Sequence, residues 1–158
     1  MIGSGDTVEL GSSRFGKISY MKSDIISMTR GLLGFEGFKR FVVVSPKDQQ
    51  PFRWLQSIDD PDLAFLALDP LQIRPDYKIE ISPKDMALLE AKDGKNLDIY
   101  ILVSIPKGRI EAMTANMQAP IVINKSKMRA VQLLINDSGF VTQYPIFNAI
   151  VQRLADNI

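Results

Sequence analysis

The sequence has no cysteine and no histidine among its 158 residues. Without cysteine there is no disulfide and no thiolate metal site. Without histidine there is no Ser-His-Asp triad, no Cys-His pair and no imidazole-bound zinc. Catalysis would fall to carboxylates, lysine, tyrosine or a cofactor, and a metal would need oxygen ligands alone. No apolar run approaches the roughly 20 residues of a membrane-spanning helix. The opening MIGSGDTVEL has neither a basic start nor an apolar core, so no secretory signal is expected. A dense Lys/Arg cluster of the kind that grips phosphate backbones is also missing. Together these absences lower the expectation of an enzyme and suit a cytoplasmic location; no cofactor and no metal is expected.

What is present is ordinary for a globular chain, 46% hydrophobic and 23% charged. The length favours one domain over 1–158, and a chain of this size buries about two-thirds of its unfolded surface. The net charge of +1 is unevenly spread. Residues 1–56 carry eight basic and five acidic groups, residues 57–98 five and ten, and residues 99–158 six and three. An acidic middle can form one acidic face that steers toward a basic partner, or folding can intersperse it among the flanks.

Strand signals dominate. FGKISY (Phe15–Tyr20), Ile25–Thr29, FVVV (Phe41–Val44), FRWL (Phe52–Leu55) and Phe65–Leu68 are short and β-branched or alternating. YKIEI (Tyr77–Ile81), DIYILVSI (Asp98–Ile105), Ile110–Thr114, Ile121–Ile123 and Ala130–Ile135 continue the series. Gly, Pro, Asn and Asp punctuate them at intervals of about ten residues, which predicts a mostly β, antiparallel barrel-like domain. Two short helices are expected. SPKDMALLEAK has Ser82 as N-cap, Pro83 at the first helical position and Asp85 three residues after the cap, with Gly94 beyond as a stop or turn. In the tail PIFNAIVQRLADNI (145–158), Ile146, Ile150 and Leu154 recur every four residues.

Three constellations bear on function. Gly31-Leu-Leu-Gly34-Phe-Glu-Gly37 resembles a phosphate loop only at first. Its spacing fits no dinucleotide fingerprint, and no Lys-Ser/Thr follows, so it reads as a chain reversal. Asp59-Asp60-Pro61-Asp62 puts three carboxylates in four residues, with Asp69 and Asp76 beyond. The spacing is not that of an EF-hand, which leaves a solvated turn or an acidic contact surface. TANMQAPIVIN (Thr114–Asn124) holds Asn116 and Gln118 before Pro120, a breaker that marks an edge or a bulge. An Asn there satisfies backbone groups at a corner, or it contributes to a binding wall. Trp54, the only tryptophan, is expected to be core or half-buried.

Taken in order, several of these pieces resemble the FliW family of flagellar assembly factors. They are FGKISY, GLLGF (Gly31–Phe35), PFRWLQSIDDPDLAF (Pro51–Phe65), LDP (Leu68–Pro70), PDY (Pro75–Tyr77) and TANMQAPIVIN, the most specific. The resemblance spans about Phe15 to about Tyr144. Residues 1–12 stand outside it and are expected to be flexible, while 145–158 is expected to be a C-terminal helix. The resemblance implies a non-catalytic, cytoplasmic, barrel-like protein that binds flagellin and the RNA-binding translational repressor CsrA, so that flagellin level is coupled to flagellin translation. It implies no direct nucleic-acid or membrane contact and a monomer when free. Gln56, Asp59, Asp60, Asp62, Asp69, Asp76, Asn116 and Gln118 are the candidate protein-binding residues. The alternative is a nucleic-acid-binding β-barrel, which would show a contiguous basic surface.

Overall fold

The computed structural model describes residues 7–136 and 139–156. Eleven strands and two α-helices appear among them. The strands are β1 (Thr7–Ser12), β2 (Gly16–Met21), β3 (Ile26–Met28), β4 (Arg40–Val44), β5 (Arg53–Ser57), β6 (Ala64–Leu68), β7 (Leu97–Ser104), β8 (Thr114–Ala115), β9 (Ile121–Asn124), β10 (Arg129–Gln132) and β11 (Tyr144–Pro145). The helices are α1 (Pro83–Leu88) and α2 (Phe147–Asp156).

Seven strands close a barrel in the order β7-β6-β5-β4-β3-β10-β9, and β9 pairs back onto β7. Closure leaves none of these seven as a free sheet edge, which protects short strands from edge-to-edge association. All pairs are antiparallel except β3 with β10, where Arg129 lies beside Ser27 and Ala130 beside Met28. The barrel is therefore mixed, because β3 and β10 come from distant parts of the chain and meet only when the ring closes.

Alternation decides what lies inside. Phe41, Leu55, Ala67, Tyr100, Ile121, Ile123 and Ala130 fill the barrel with Ile26, Met28 and Leu32. The outer faces of β7, β9 and β10 are buried too. Segment 77–91 lies over them and packs Ile79, Ile81, Leu88 and Leu89 on Val122, Val131 and Leu133. This explains why IVIN (β9) reads as a continuous buried run: both of its faces are covered.

The covering segment departs from expectation. Tyr77–Ile81 is not a strand. Its Tyr77, Ile79 and Ile81 do share a face, but they pack on the outside of an already closed sheet that offers them no ladder. α1 starts as its cap predicts, with the Ser82 hydroxyl accepting from Asp85 N at 3.1 Å. It ends at Leu88, well before Gly94, and the chain turns away at Glu90, whose φ is 54°. Asn124 Nδ2 donates to Leu89 O at 2.9 Å and Arg129 Nε to Leu88 O at 3.0 Å, which satisfies carbonyls left open at the helix end.

Three further boundaries differ. Thr7–Ser12, within the stretch expected to be flexible, forms β1 and pairs along its length with β2; residues 1–6 lie outside the described residues. Ile110–Thr114 is not one strand: Ile110–Ala112 is a 3-10 turn, and only Thr114–Ala115 pairs, with β7 and β11. α2 begins at Phe147, two residues later than expected, because Tyr144 and Pro145 are held in β11. Among the described residues no helix is long and apolar enough to cross a membrane.

Candidate protein-binding surface

The acidic turn lies between β5 and β6, at the end of the barrel where β4 begins. It is built from β5 outward. Ser57 is fully buried, and its hydroxyl accepts from Asp59 N at 3.1 Å and Asp60 N at 3.0 Å. Asp60 Oδ1 then accepts from Asp62 N at 2.9 Å. The Asp59 carboxylate takes two donors from the Arg40 guanidinium at the start of β4. That contact raises the Arg40 pKa further above its ordinary value, through the hydrogen bond first and the charge attraction second.

Gln56 is not a surface residue. It is 0% exposed, so it cannot touch a partner directly. Its Nε2 donates to Ser57 O at 3.0 Å and Leu63 O at 3.1 Å, bracketing the turn from below. Its Oε1 accepts from Ser12 Oγ at 2.8 Å. Next door, Ser13 N donates to Pro61 O at 3.1 Å and Ser13 Oγ to the Asp62 carboxylate. Gln56 is thus a positioning residue that locks the β1–β2 hairpin and the acidic turn together.

The other candidates are dispersed. Asp69 sits at the far end of β6, roughly 20 Å from Asp62 along an extended chain. There it caps the 3-10 turn Pro70–Gln72 by accepting from Leu71 N at 2.9 Å. Asp76 is exposed and lies 3.4 Å from Arg74 Nε. Among the described residues no three acidic side chains gather to hold a cation.

Asn116 and Gln118 do corner duty. β8 and β9 lie along the same edge of β7, Ala115 opposite Val103 and Ile121 opposite Tyr100. Five residues between them therefore face only two on β7, and the surplus bulges outward. Every backbone N–H in the bulge is bonded. Asn116 Oδ1 accepts from Gln118 N at 3.0 Å and Ala119 N at 3.1 Å. Gln118 O accepts from Ile135 N at 2.8 Å, and Met117 O accepts from the buried Tyr77 hydroxyl at 2.8 Å. Both side chains remain half-buried beside a surface.

The Gly31–Gly37 stretch closes the same barrel end as the acidic turn. Gly31 has φ 72°, and a Cβ there would meet Glu36 Cα at 2.6 Å, so the reversal requires glycine. Leu32 plugs the barrel at 1% exposure, while Leu33 stays 62% exposed and Phe35 39%. Phe35 stands edge-on to Phe65 of β6, centroids 5.0 Å apart. Sequence reading assigned these two apolar side chains to a turn and missed them as surface. The only available signal was two large apolar residues inside a glycine-punctuated reversal. Trp54 is half-buried under the hairpin, with Phe15 edge-on at 5.6 Å and the Arg14 guanidinium 4.3 Å from its ring centre.

Comparison with known proteins places this arrangement. The sequence model of the family described as FliW protein matches residues 9–146, reaching further toward the N-terminus than the sequence resemblance does. The flagellar assembly factor FliW of Caldanaerobacter subterraneus subsp. tengcongensis is 39% identical over 140 residues, 88% of this chain and 93% of that protein. That of Bdellovibrio bacteriovorus is 33% identical over 148 residues, 94% of this chain and 84% of that protein. A crystal structure of the flagellar assembly factor FliW superposes with a TM-score of 0.81 at 27% identity, covering 89% of this chain and 97% of the other. The chain belongs to the FliW family, whose members are non-catalytic assembly factors.

Proposed function

We propose that this protein is a cytoplasmic binding module that holds flagellin and also binds the translational repressor CsrA, relieving repression until accumulated flagellin displaces the repressor. One binder shared by two ligands transmits the level of one to the activity of the other through mass action. Family membership carries the reading. The barrel end that combines the Asp59–Asp62 turn with exposed Leu33 and Phe35 supports it. Acidic groups around an apolar centre suit a basic protein partner, with the charges setting encounter rate and the apolar side chains contributing affinity. In this reading Asp59, Asp60 and Asp62 form the rim, Gln56 holds it in place, and Asn116, Gln118, Asp69 and Asp76 are secondary contacts. Free protein is a monomer.

The alternative, a nucleic-acid-binding barrel, would draw on Lys92, Lys95 and Lys127 around a cleft at the opposite end. That cleft also holds Glu90 and Asp93, which breaks up the basic field. The test is size-exclusion chromatography of the purified protein with CsrA and with flagellin, at micromolar concentrations. Co-migration with each, and release of CsrA on adding flagellin, is the expected result. Migration of all three apart would remove the proposal, and an RNA gel shift lost steeply with salt would favour the alternative.

A further inference from the structure

The barrel end opposite the acidic turn opens into a cleft of about 470 Å³, between the starts of β5 and β7, the 3-10 turn Pro70–Gln72 and the last turn of α2. Its charged lining is Arg53, Asp69, Asp98 and Arg153, with Gln50, Gln72 and Tyr100 beside them. Such a volume lies in the range of small-molecule sites.

Three of these groups lack the partners that buried or charged groups ordinarily find. Tyr100 is only 8% exposed and lines the cleft, yet its hydroxyl makes no hydrogen bond to a described residue. Buried tyrosine hydroxyls are usually partnered. The guanidiniums of Arg53 and Arg153 form no ion pair with a described carboxylate. Arg53 spends one donor on Ser45 Oγ at 2.9 Å, which fixes its direction without neutralising it. Burial pushes the Tyr100 phenol up, Arg53 pulls it down, and Asp98 and Asp69 add to the rise, so these charges surround the hydroxyl.

The charge count selects a ligand class. Asp98 is matched by Lys125, whose Nζ lies 3.3 Å from Oδ1. Asp69 has no cation partner among the described residues; one oxygen accepts from Leu71 N. Two free guanidiniums against one free carboxylate leave one positive charge uncompensated. Arginine forks match carboxylates, Tyr100 can donate to one, and Asp69 needs a donor. We propose that this barrel mouth binds a small amino-dicarboxylate, its two carboxylates on Arg53 and Arg153 and its ammonium toward Asp69. A simple dicarboxylate leaves Asp69 unanswered, and a neutral amino acid leaves one guanidinium without a partner. Apart from Asp69, the site lies away from the proposed partner surface, and its test does not depend on CsrA or flagellin.

Isothermal titration and 15N-resolved NMR of the full chain with L-glutamate test the proposal, with succinate and L-glutamine as comparators. L-Glutamate is expected to saturate the site and bind at least about tenfold tighter than either comparator, as loss of a charge-assisted hydrogen bond predicts. Arg153→Gln, on an exposed helix turn where folding is not at stake, is expected to weaken binding about tenfold, and Tyr100→Phe about threefold or more. Shifts are expected at Tyr100, Asp69 and Gln72 amides and not at Asp59–Asp62. No saturable binding below about 10 mM would overturn the proposal. So would succinate binding as tightly as L-glutamate, or unchanged affinity in Arg153→Gln.

Discussion

Gln56 shows how much of the barrel's architecture rests on single side chains. With no exposure it joins β5, the acidic turn and the β1–β2 hairpin through one amide. Gln56→Ala leaves the carbonyls of Ser57 and Leu63 and the Ser12 hydroxyl short of partners in a buried place. We expect a loss of about 2–4 kcal/mol, from several buried polar groups left unsatisfied at once. Urea unfolding measures it, and a change under about 0.5 kcal/mol would mean that the turn is held by other contacts. Tyr77 supplies a pH signature. Burial pushes its phenol from 10 up to about 12 in the folded state. A raised folded pKa favours the protonated form, so its stabilising effect is complete below about pH 10 and lost as pH rises toward 12. The loss amounts to about 2–3 kcal/mol over that window. Tyr77→Phe should flatten the alkaline side of the stability curve while costing about 1 kcal/mol at neutral pH through the lost bond to Met117 O. An identical alkaline profile in the two proteins would show that another group controls it.

At the scale of elements, α2 shows which half of a periodic stripe the tertiary structure uses. Ile146, Ile150 and Leu154 share one spacing, yet Ile146 and Ile150 are buried while Leu154 is 49% exposed. The helix leans its first turns on Met113 and Ala115 and runs out beyond the barrel wall toward the cleft lined by Arg153. Ile150→Ala should therefore cost about 2–4 kcal/mol in thermal or denaturant unfolding, whereas Val151→Ser should stay within about 0.5 kcal/mol. Comparable losses at both positions would mean that the exposed face is packed in solution. The extended segment Tyr77–Ile81 makes the complementary point. Its alternation is real, and Tyr77, Ile79 and Ile81 pack across two adjoining clusters, but a ladder also needs a free neighbour. The closed barrel offers none, so the segment remains extended cover.

For the whole molecule, ring closure separates two ends with different chemistry. One carries the acidic turn with Leu33 and Phe35; the other is the arginine-lined mouth. The partner reading makes a prediction at this scale. Asp60→Lys with Asp62→Lys should weaken CsrA binding about tenfold or more at low salt, chiefly through a slower on-rate, and the difference should shrink as salt rises. Leu33→Ser should weaken binding with little dependence on salt, because an apolar contact is unscreened. Surface plasmon resonance over a salt series separates the two. Equal binding of wild type and the double lysine variant would move the contact to another face.

Much of this was legible in the sequence, and the reason is local. Strand existence followed from β-branched runs and Gly/Pro punctuation, the start of α1 from Ser82 and Pro83, and the Gly31 reversal from glycine's freedom at positive φ. These signals are written within a few residues. Register, the parallel pairing of β3 with β10, the burial of Gln56 and the splitting of the carboxylates between two ends were not legible. Each depends on residues tens of positions apart, such as Ser12 meeting Gln56 or Thr29 meeting Ala130. The sequence by itself determined a histidine- and cysteine-free β protein with the motifs of its family. Only the tertiary structure decided which polar side chains became scaffold and which remained surface, because ring closure fixes each strand's inward and outward faces at once and leaves only the uncovered remainder to meet a partner.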